Sequence, residues 1–129
     1  MTGAGGFVGG HAAERLLSTG HGVRVLARPT NVPHRLAERG AEIVIGDLRD
    51  PAARADACRG CDAVIHAAAL VTEVAVADAD YVRVNVEASE ALAREAARAR
   101  SSLRLRRVDV GPPPEHGQAA PRRDRDRPA

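Results

Sequence analysis

The run Thr2-Gly3-Ala4-Gly5-Gly6-Phe7-Val8-Gly9-Gly10-His11 puts Gly3, Gly6 and Gly9 at G-x-x-G-x-x-G spacing. Few backbones use such a pattern. It predicts a tight turn that opens into a helix. Gly3 supplies the turn, Gly6 allows a ligand to approach the backbone, and Gly9 lets the helix pack closely on a sheet. The start of a helix carries unpaired N–H groups and a partial positive charge, so the loop suits a pyrophosphate. A loop of this kind belongs at the end of a buried strand. Only Met1 precedes Thr2 here, so the expected sheet lacks its opening strand.

The rest of the first hundred residues alternates between two periods. Residues 7–19 read as a helix, with Val8, Ala12 and Leu16 on one stripe. Gly20 and Gly22 end it. Residues 23–27, 42–45 and 62–66 are short apolar runs and are expected as strands. Residues 34–39 and 51–58 are expected as helices. Asp50 caps the second of these and Pro51 opens it. A long Ala-rich helix follows over 78–100, with Tyr81, Val84, Ala88 and Leu92 facing inward. Strands that are continuous apolar runs belong to a parallel sheet covered on both faces. The fold class is therefore α/β, a doubly wound parallel sheet that is incomplete. Aromatics make up 2% of the chain, so Val, Leu, Ile and Ala must fill its core.

Residues 101–129 differ in character. Leu103 to Val110 has strand-like apolar residues but four charged ones among them, which a buried parallel strand should not carry. Five of the eight prolines follow Gly111, with an Arg-Arg-Asp-Arg-Asp-Arg run. This part is expected to be a disordered tail. It is basic, but it has no aromatic to stack on bases and no periodic basic face, so nucleic acid is not an expected partner. No stretch has the ~20 apolar residues of a membrane span, and no secretion signal is evident, so a cytoplasmic location is expected. Cys58 and Cys61 form a lone C-x-x-C and are expected as ordinary reduced thiols, with no metal site.

Four segments taken in order resemble the extended short-chain dehydrogenase/reductases, also called NAD-dependent epimerase/dehydratases. They are Thr2-Gly3-x-x-Gly6-Phe7-Val8-Gly9, Gly46-Asp47-Leu48-Arg49-Asp50, Cys61 to Ala69, and Tyr81-x-x-x-Asn85-Val86-Glu87-Ala88-Ser89. The resemblance covers residues 2 to about 100. It implies a Rossmann-like fold, a bound NAD or NADP, and hydride transfer at an alcohol carbon of a nucleotide-sugar, sterol or flavonoid. It further implies cofactor-binding roles for Gly3, Gly6, Phe7, Val8 and Gly9 in the loop. Asp47 and Leu48 would lie at the adenine, Ala67, Ala68 and Ala69 along the nicotinamide ribose, and Asn85 would organise the site. Relatives often dimerise through helices that include the one at 78–100, which implies a homodimer.

The family's general acid/base is a Tyr with a Lys four residues later. This chain has one Tyr, Tyr81, with Asn85 four residues on, and all 19 basic residues are Arg. No catalytic residue is therefore assigned. Arg28 follows the strand at 23–27, where many relatives carry an Asp for the ribose hydroxyls. Its guanidinium suits a 2′-phosphate, so NADP is favoured over NAD. His66 is expected as a packed strand residue. The expectation is an NAD(P)-binding fragment of an epimerase/dehydratase-type oxidoreductase, over 1–100, that does not turn over substrate alone. The alternatives are a non-catalytic NADP-sensing module and an unstable, non-functional fragment.

Overall fold

A computed structural model describes residues 1–70, 77–99 and the backbone of 102–105. The proline-rich part of the expected tail lies outside the described residues. Strand β1 (Arg24–Ala27) pairs in parallel with β2 (Glu42–Ile45), in the register Arg24 to Glu42 and Ala27 to Ile45. Strand β3 (Ala63–His66) pairs in parallel with β4 (Ser102–Leu105), in the register Ala63 to Ser102 and His66 to Leu105.

Thr2 joins these pairs, forming a parallel bridge to Leu26 on one side and to His66 on the other. Its N–H donates to Ile65 O at 3.0 Å, and its carbonyl accepts from Ala67 N at 3.2 Å. Leu26 N donates to Met1 O at 2.9 Å. The Met1 ammonium donates to Arg24 O. The order across the sheet is thus β2, β1, Thr2, β3, β4. No strand forms before α1, as expected, yet the flanking strands are not left without any partner: Met1 and Thr2 stand at the sheet centre and bond to both, which corrects that part of the expectation.

Ser102–Leu105 is a second correction. Composition assigned it to the tail, yet it continues the sheet beside β3. Only one of the charges that argued against a strand, Arg104, falls within it. Among the described residues β4 pairs on one side only, and a sheet edge tolerates charge.

The strands are covered on both faces. Helix α1 (Phe7–Ser18) and the short α2 (His34–Glu38) lie on one side, where Ala13, Val25, Ala27 and Leu36 form a core cluster. Leu26 points the other way and packs with Ala53 and Ala57 of α3 (Pro51–Cys58). This alternation within β1 is the period of two expected of a strand buried on both sides. Asp50 caps α3 by accepting from Ala52 N at 2.9 Å.

The long helix begins as α4 (Asp78–Val82), passes through a π turn over Arg83–Glu87 and continues as α5 (Ala88–Arg98). Ala88, Leu92 and Ala96, four residues apart, are its buried stripe. Leu92 and Ala96 pack with Val64 and Cys58. Leu92 and Val25 are the largest fully buried side chains, in keeping with a core built without aromatics.

Helix α1 sits so close to the loop that a Cβ on Gly9 would lie 2.1 Å from Gly3 O. No Cβ survives at that distance, so Gly9→Ala must push the helix off the sheet. Urea unfolding should show a loss of about 1–3 kcal/mol or more. Unchanged stability would mean that α1 does not rest on this contact.

Candidate functional site

The C-terminal ends of β1, β2 and β3 and the loop before α1 enclose a cleft of about 480 Å³. This is where an open α/β sheet binds its ligand, at the crevice beyond the strand ends. The loop forms one wall. Gly3 has φ +75°, and a Cβ there would lie 2.4 Å from Ala67 C and Ala68 N. The glycine is required twice over, for its left-handed backbone and for the approach of the next loop. Gly6 N donates to Gly3 O at 3.0 Å and closes the turn. Gly6 then stands at the N-cap of α1. No side chain caps that helix and no acidic residue lies in its first turn. The positive end of the helix is left for an anion.

Gly3, Gly6, Arg28, Asp47, Leu48, Ala67, Ala68 and Ala69 all line the cleft, brought together from four separate segments. Four other sequence-assigned positions do not line it. Phe7 and Val8 are exposed, and the Phe7 ring packs on His11 with centroids 4.5 Å apart. Gly9 is buried beneath the loop. Asn85 lies behind the wall, in the π turn. Its Oδ1 accepts from Leu70 N at 2.7 Å and its Nδ2 donates to Leu70 O at 3.1 Å. Both backbone groups of Leu70, which lines the cleft, are thereby fixed. Asn85 is a positioning residue for the segment after β3.

The Asp47 carboxylate is held by its neighbour. Arg49 Nε and its backbone N each donate to Oδ1 at 2.8 Å, and Nη2 donates to Oδ2 at 2.9 Å. These bonds from Arg49 keep the carboxyl below the usual carboxylate range. Arg28 makes no ion pair among the described residues. Asn31, Arg49, Asp80 and Val84 also line the cleft and were not assigned from the sequence. Asn31 lies against Gly5, close enough that a Cβ on Gly5 would meet its Nδ2 at 2.6 Å. The Pro29-Thr30-Asn31 turn after Arg28 was a signal for it. Asp80 and Val84 come from the long helix and had no such signal.

His66 anchors the cleft floor. It is buried, with Nδ1 2.6 Å from Thr2 Oγ1 and Nε2 2.9 Å from Ser89 Oγ. Ala68 N donates to Thr2 Oγ1 at 3.4 Å. The imidazole is pushed below its ordinary value by burial. Cys58 is buried and its thiol is pushed up by desolvation, while Cys61 is half-buried. Among the described residues no three His, Cys, Asp or Glu side chains converge as a metal site would require.

The sequence model described as "NAD dependent epimerase/dehydratase family" matches residues 1–108. The chain belongs to this family. A relative from Dictyostelium discoideum, "Sterol-4-alpha-carboxylate 3-dehydrogenase, decarboxylating", is 34% identical over 92 residues, covering 71% of this chain and 28% of the relative. A "4-hydroxy-2-methyl-3-oxo-4-farnesyl-3,4-dihydroquinoline-1-oxide ketoreductase" from Stigmatella aurantiaca is 33% identical over 99 residues, covering 74% and 29%. A solved short-chain dehydrogenase/reductase from Agrobacterium tumefaciens, with NAD bound, is 30% identical with a TM-score of 0.68, covering 81% of this chain and 30% of that one. The chain spans under a third of the length of these relatives. The family binds NAD(P), and the uncapped helix end beside Gly3 and Gly6 fits a dinucleotide.

The buried His66 makes stability depend on pH. Its folded value lies below the unfolded value near 6.5. The unfolded chain therefore binds more protons as pH falls through about 6.5, and stability drops below that point. Melting temperature should fall between pH 7 and 5, and His66→Gln should flatten that slope. An equal slope in the variant would place the titrating group elsewhere.

Proposed function

We propose that this chain holds NADP or NAD in the cleft, as the cofactor-binding part of an epimerase/dehydratase-type oxidoreductase, and does not turn over substrate alone. The observation that carries the reading is the loop at Gly3–Gly6. It closes onto an uncapped helix end at the mouth of a cleft walled by Asp47 and Ala67–Ala69. The amides of the first turn of α1 would hold the pyrophosphate. Asp47 would accept from the adenine amino group, and Ala67–Ala69 would run along the nicotinamide ribose. Arg28, with no ion pair of its own, favours the 2′-phosphate of NADP. When bound, the coenzyme would take hydride from an alcohol carbon or give it to the carbon of the matching ketone. The names of the two relatives, a dehydrogenase and a ketoreductase, support an alcohol–ketone couple.

The inactive part of the reading rests on Tyr81 and Asn85. The residue four after Tyr81 is Asn85, not Lys, and its amide is spent on Leu70. The chain holds no Lys to partner a catalytic tyrosine. The same observation favours a second reading, a non-catalytic module that senses NADP. A homodimer through α4 and α5 is part of the proposal, supported by Val82 and Val86, which are 46% and 48% exposed there. No helix among the described residues is long and apolar enough to cross a membrane. A cytoplasmic setting would keep Cys58 and Cys61 as thiols.

Thermal unfolding of the full chain tests the binding. NADPH at 100 times its Kd should add about 2.7 kcal/mol of stability. Arg28→Ala should weaken NADPH about tenfold, the loss of one charge-assisted contact, and leave NADH unchanged. No hydride transfer should be detected at 340 nm with simple alcohols or ketones. Absence of any shift with either coenzyme would reject the binding, and turnover would reject the inactivity.

A further inference from the structure

Beside the cleft, on the side of α3 and the π turn, lies a second pocket of about 270 Å³, lined by Arg49, Arg54, Arg83, Glu87, Ala88 and Ala91. We propose that it is a separate site for a compact oxyanion of the phosphate class. The proposal does not rest on dinucleotide binding.

Arg54 carries the inference. It sits in α3 with 7% of its surface exposed. A guanidinium has five N–H donors and is always charged. Among the described residues the Arg54 guanidinium makes one hydrogen bond, from Nη1 to Leu48 O at 2.7 Å. Its Nε is sealed from solvent and has no partner. No carboxylate pairs with it among the described residues. A buried charge in that condition is costly unless a counter-ion completes it.

The other walls add charge of the same sign. Arg83 and Glu87 come from the π turn, and Ala88 and Ala91 from the start of α5. Arg83 is 62% exposed and only loosely paired, 3.7 Å from Asp80. Arg49 is 56% exposed and held by Asp47. Asp47 and Asp80 themselves line the dinucleotide cleft, not this pocket. Three arginines therefore line the pocket with one acidic residue, Glu87, and Glu87 makes no ion pair among the described residues. Planar guanidinium forks match the oxygens of a phosphate, and the small side chains of Ala88 and Ala91 leave room for one.

Arg49 lines both the pocket and the cleft, so the test must report on each separately. Inorganic phosphate and, in parallel, methyl phosphate are titrated into the ¹⁵N-labelled full chain at constant ionic strength. Amide spectra are followed at Ala88 and Ala91 for the pocket, and at Gly3 and Gly6 for the loop. Saturable shifts at Ala88 and Ala91 are expected. A response to both anions assigns the site to phosphate esters, and a response to inorganic phosphate alone assigns it to the free ion. Arg83→Ala, on an exposed position, should weaken the Ala88 and Ala91 response about tenfold, the loss of one charge-assisted hydrogen bond. It should leave the Gly3 and Gly6 response unchanged. Arg54→Met keeps the buried stem and should abolish the pocket response. The proposal is overturned if neither anion shifts Ala88 and Ala91 in the unsubstituted chain. It is equally overturned if the shifts survive Arg83→Ala undiminished.

Discussion

Among the described residues the two pairs of strands, β1–β2 and β3–β4, meet across Met1 and Thr2, with Met1 bonded to β1 and Thr2 bonded to the β3 side. Thr2 is 3% exposed, and each of its polar groups is occupied. The amide and carbonyl go to the β3 side, and the hydroxyl goes to His66. Its neighbour Met1 supplies the carbonyl for Leu26. A buried backbone group without a partner costs about 1–3 kcal/mol, so two residues that satisfy both flanking strands matter out of proportion to their number. The hydroxyl extends the junction a further layer. It bonds His66, and His66 bonds Ser89 of α5, so the sheet centre and the long helix are tied through one imidazole.

The site follows from that junction. Gly3 is the next residue after Thr2, and its position against Ala67 and Ala68 is set by the bond from Ala67 N to Thr2 O. Two loops that line the cleft are therefore registered by a single main-chain contact. Asn85 fixes a third stretch, at Leu70, from the opposite direction. The π turn that carries Asn85 adds a residue to the helix turn there, and such turns recur at functional positions. Here it serves both the cleft, through Asn85, and the arginine pocket, through Arg83 and Glu87.

Features that depend on local chemistry were legible in the sequence. The caps at Asp50 and Pro51, the glycine turn, and the three apolar runs all rest on neighbours within a few residues. Ala88 and Leu92, two of the four positions read as the inward face of the long helix, needed only helical periodicity, while Tyr81 and Val84 are half-buried. What depended on distant parts of the chain was not legible. One residue before the loop looked too few to complete a sheet, and the reason it suffices is a pair of bridges to residues 24 and 64 positions further on. Ser102–Leu105 looked too charged for a strand because its charges were counted over a longer window than the four residues that pair. Phe7 and Val8 belong to the motif by order, yet both are exposed and neither lines the cleft. Arg49 was read as one letter of a motif, whereas its guanidinium closes on Asp47 and borders both pockets.

The charges around the cleft have a consequence for its chemistry. The ionisable side chains that line it are Arg28, Asp47, Arg49 and Asp80. Arginine keeps its proton at any physiological pH, and Asp47 is held ionised by Arg49. Among the described residues no histidine, cysteine, tyrosine or lysine lines the cleft. Fixed charges of this kind can hold and orient an anionic ligand. His66, below the cleft, has both of its ring nitrogens committed, one to Thr2 and one to Ser89 of α5. In this chain the pH-sensitive element supports the fold and the pH-insensitive elements support the site. Lowering the pH should therefore loosen the protein before it alters the charge that the cleft presents to a phosphate.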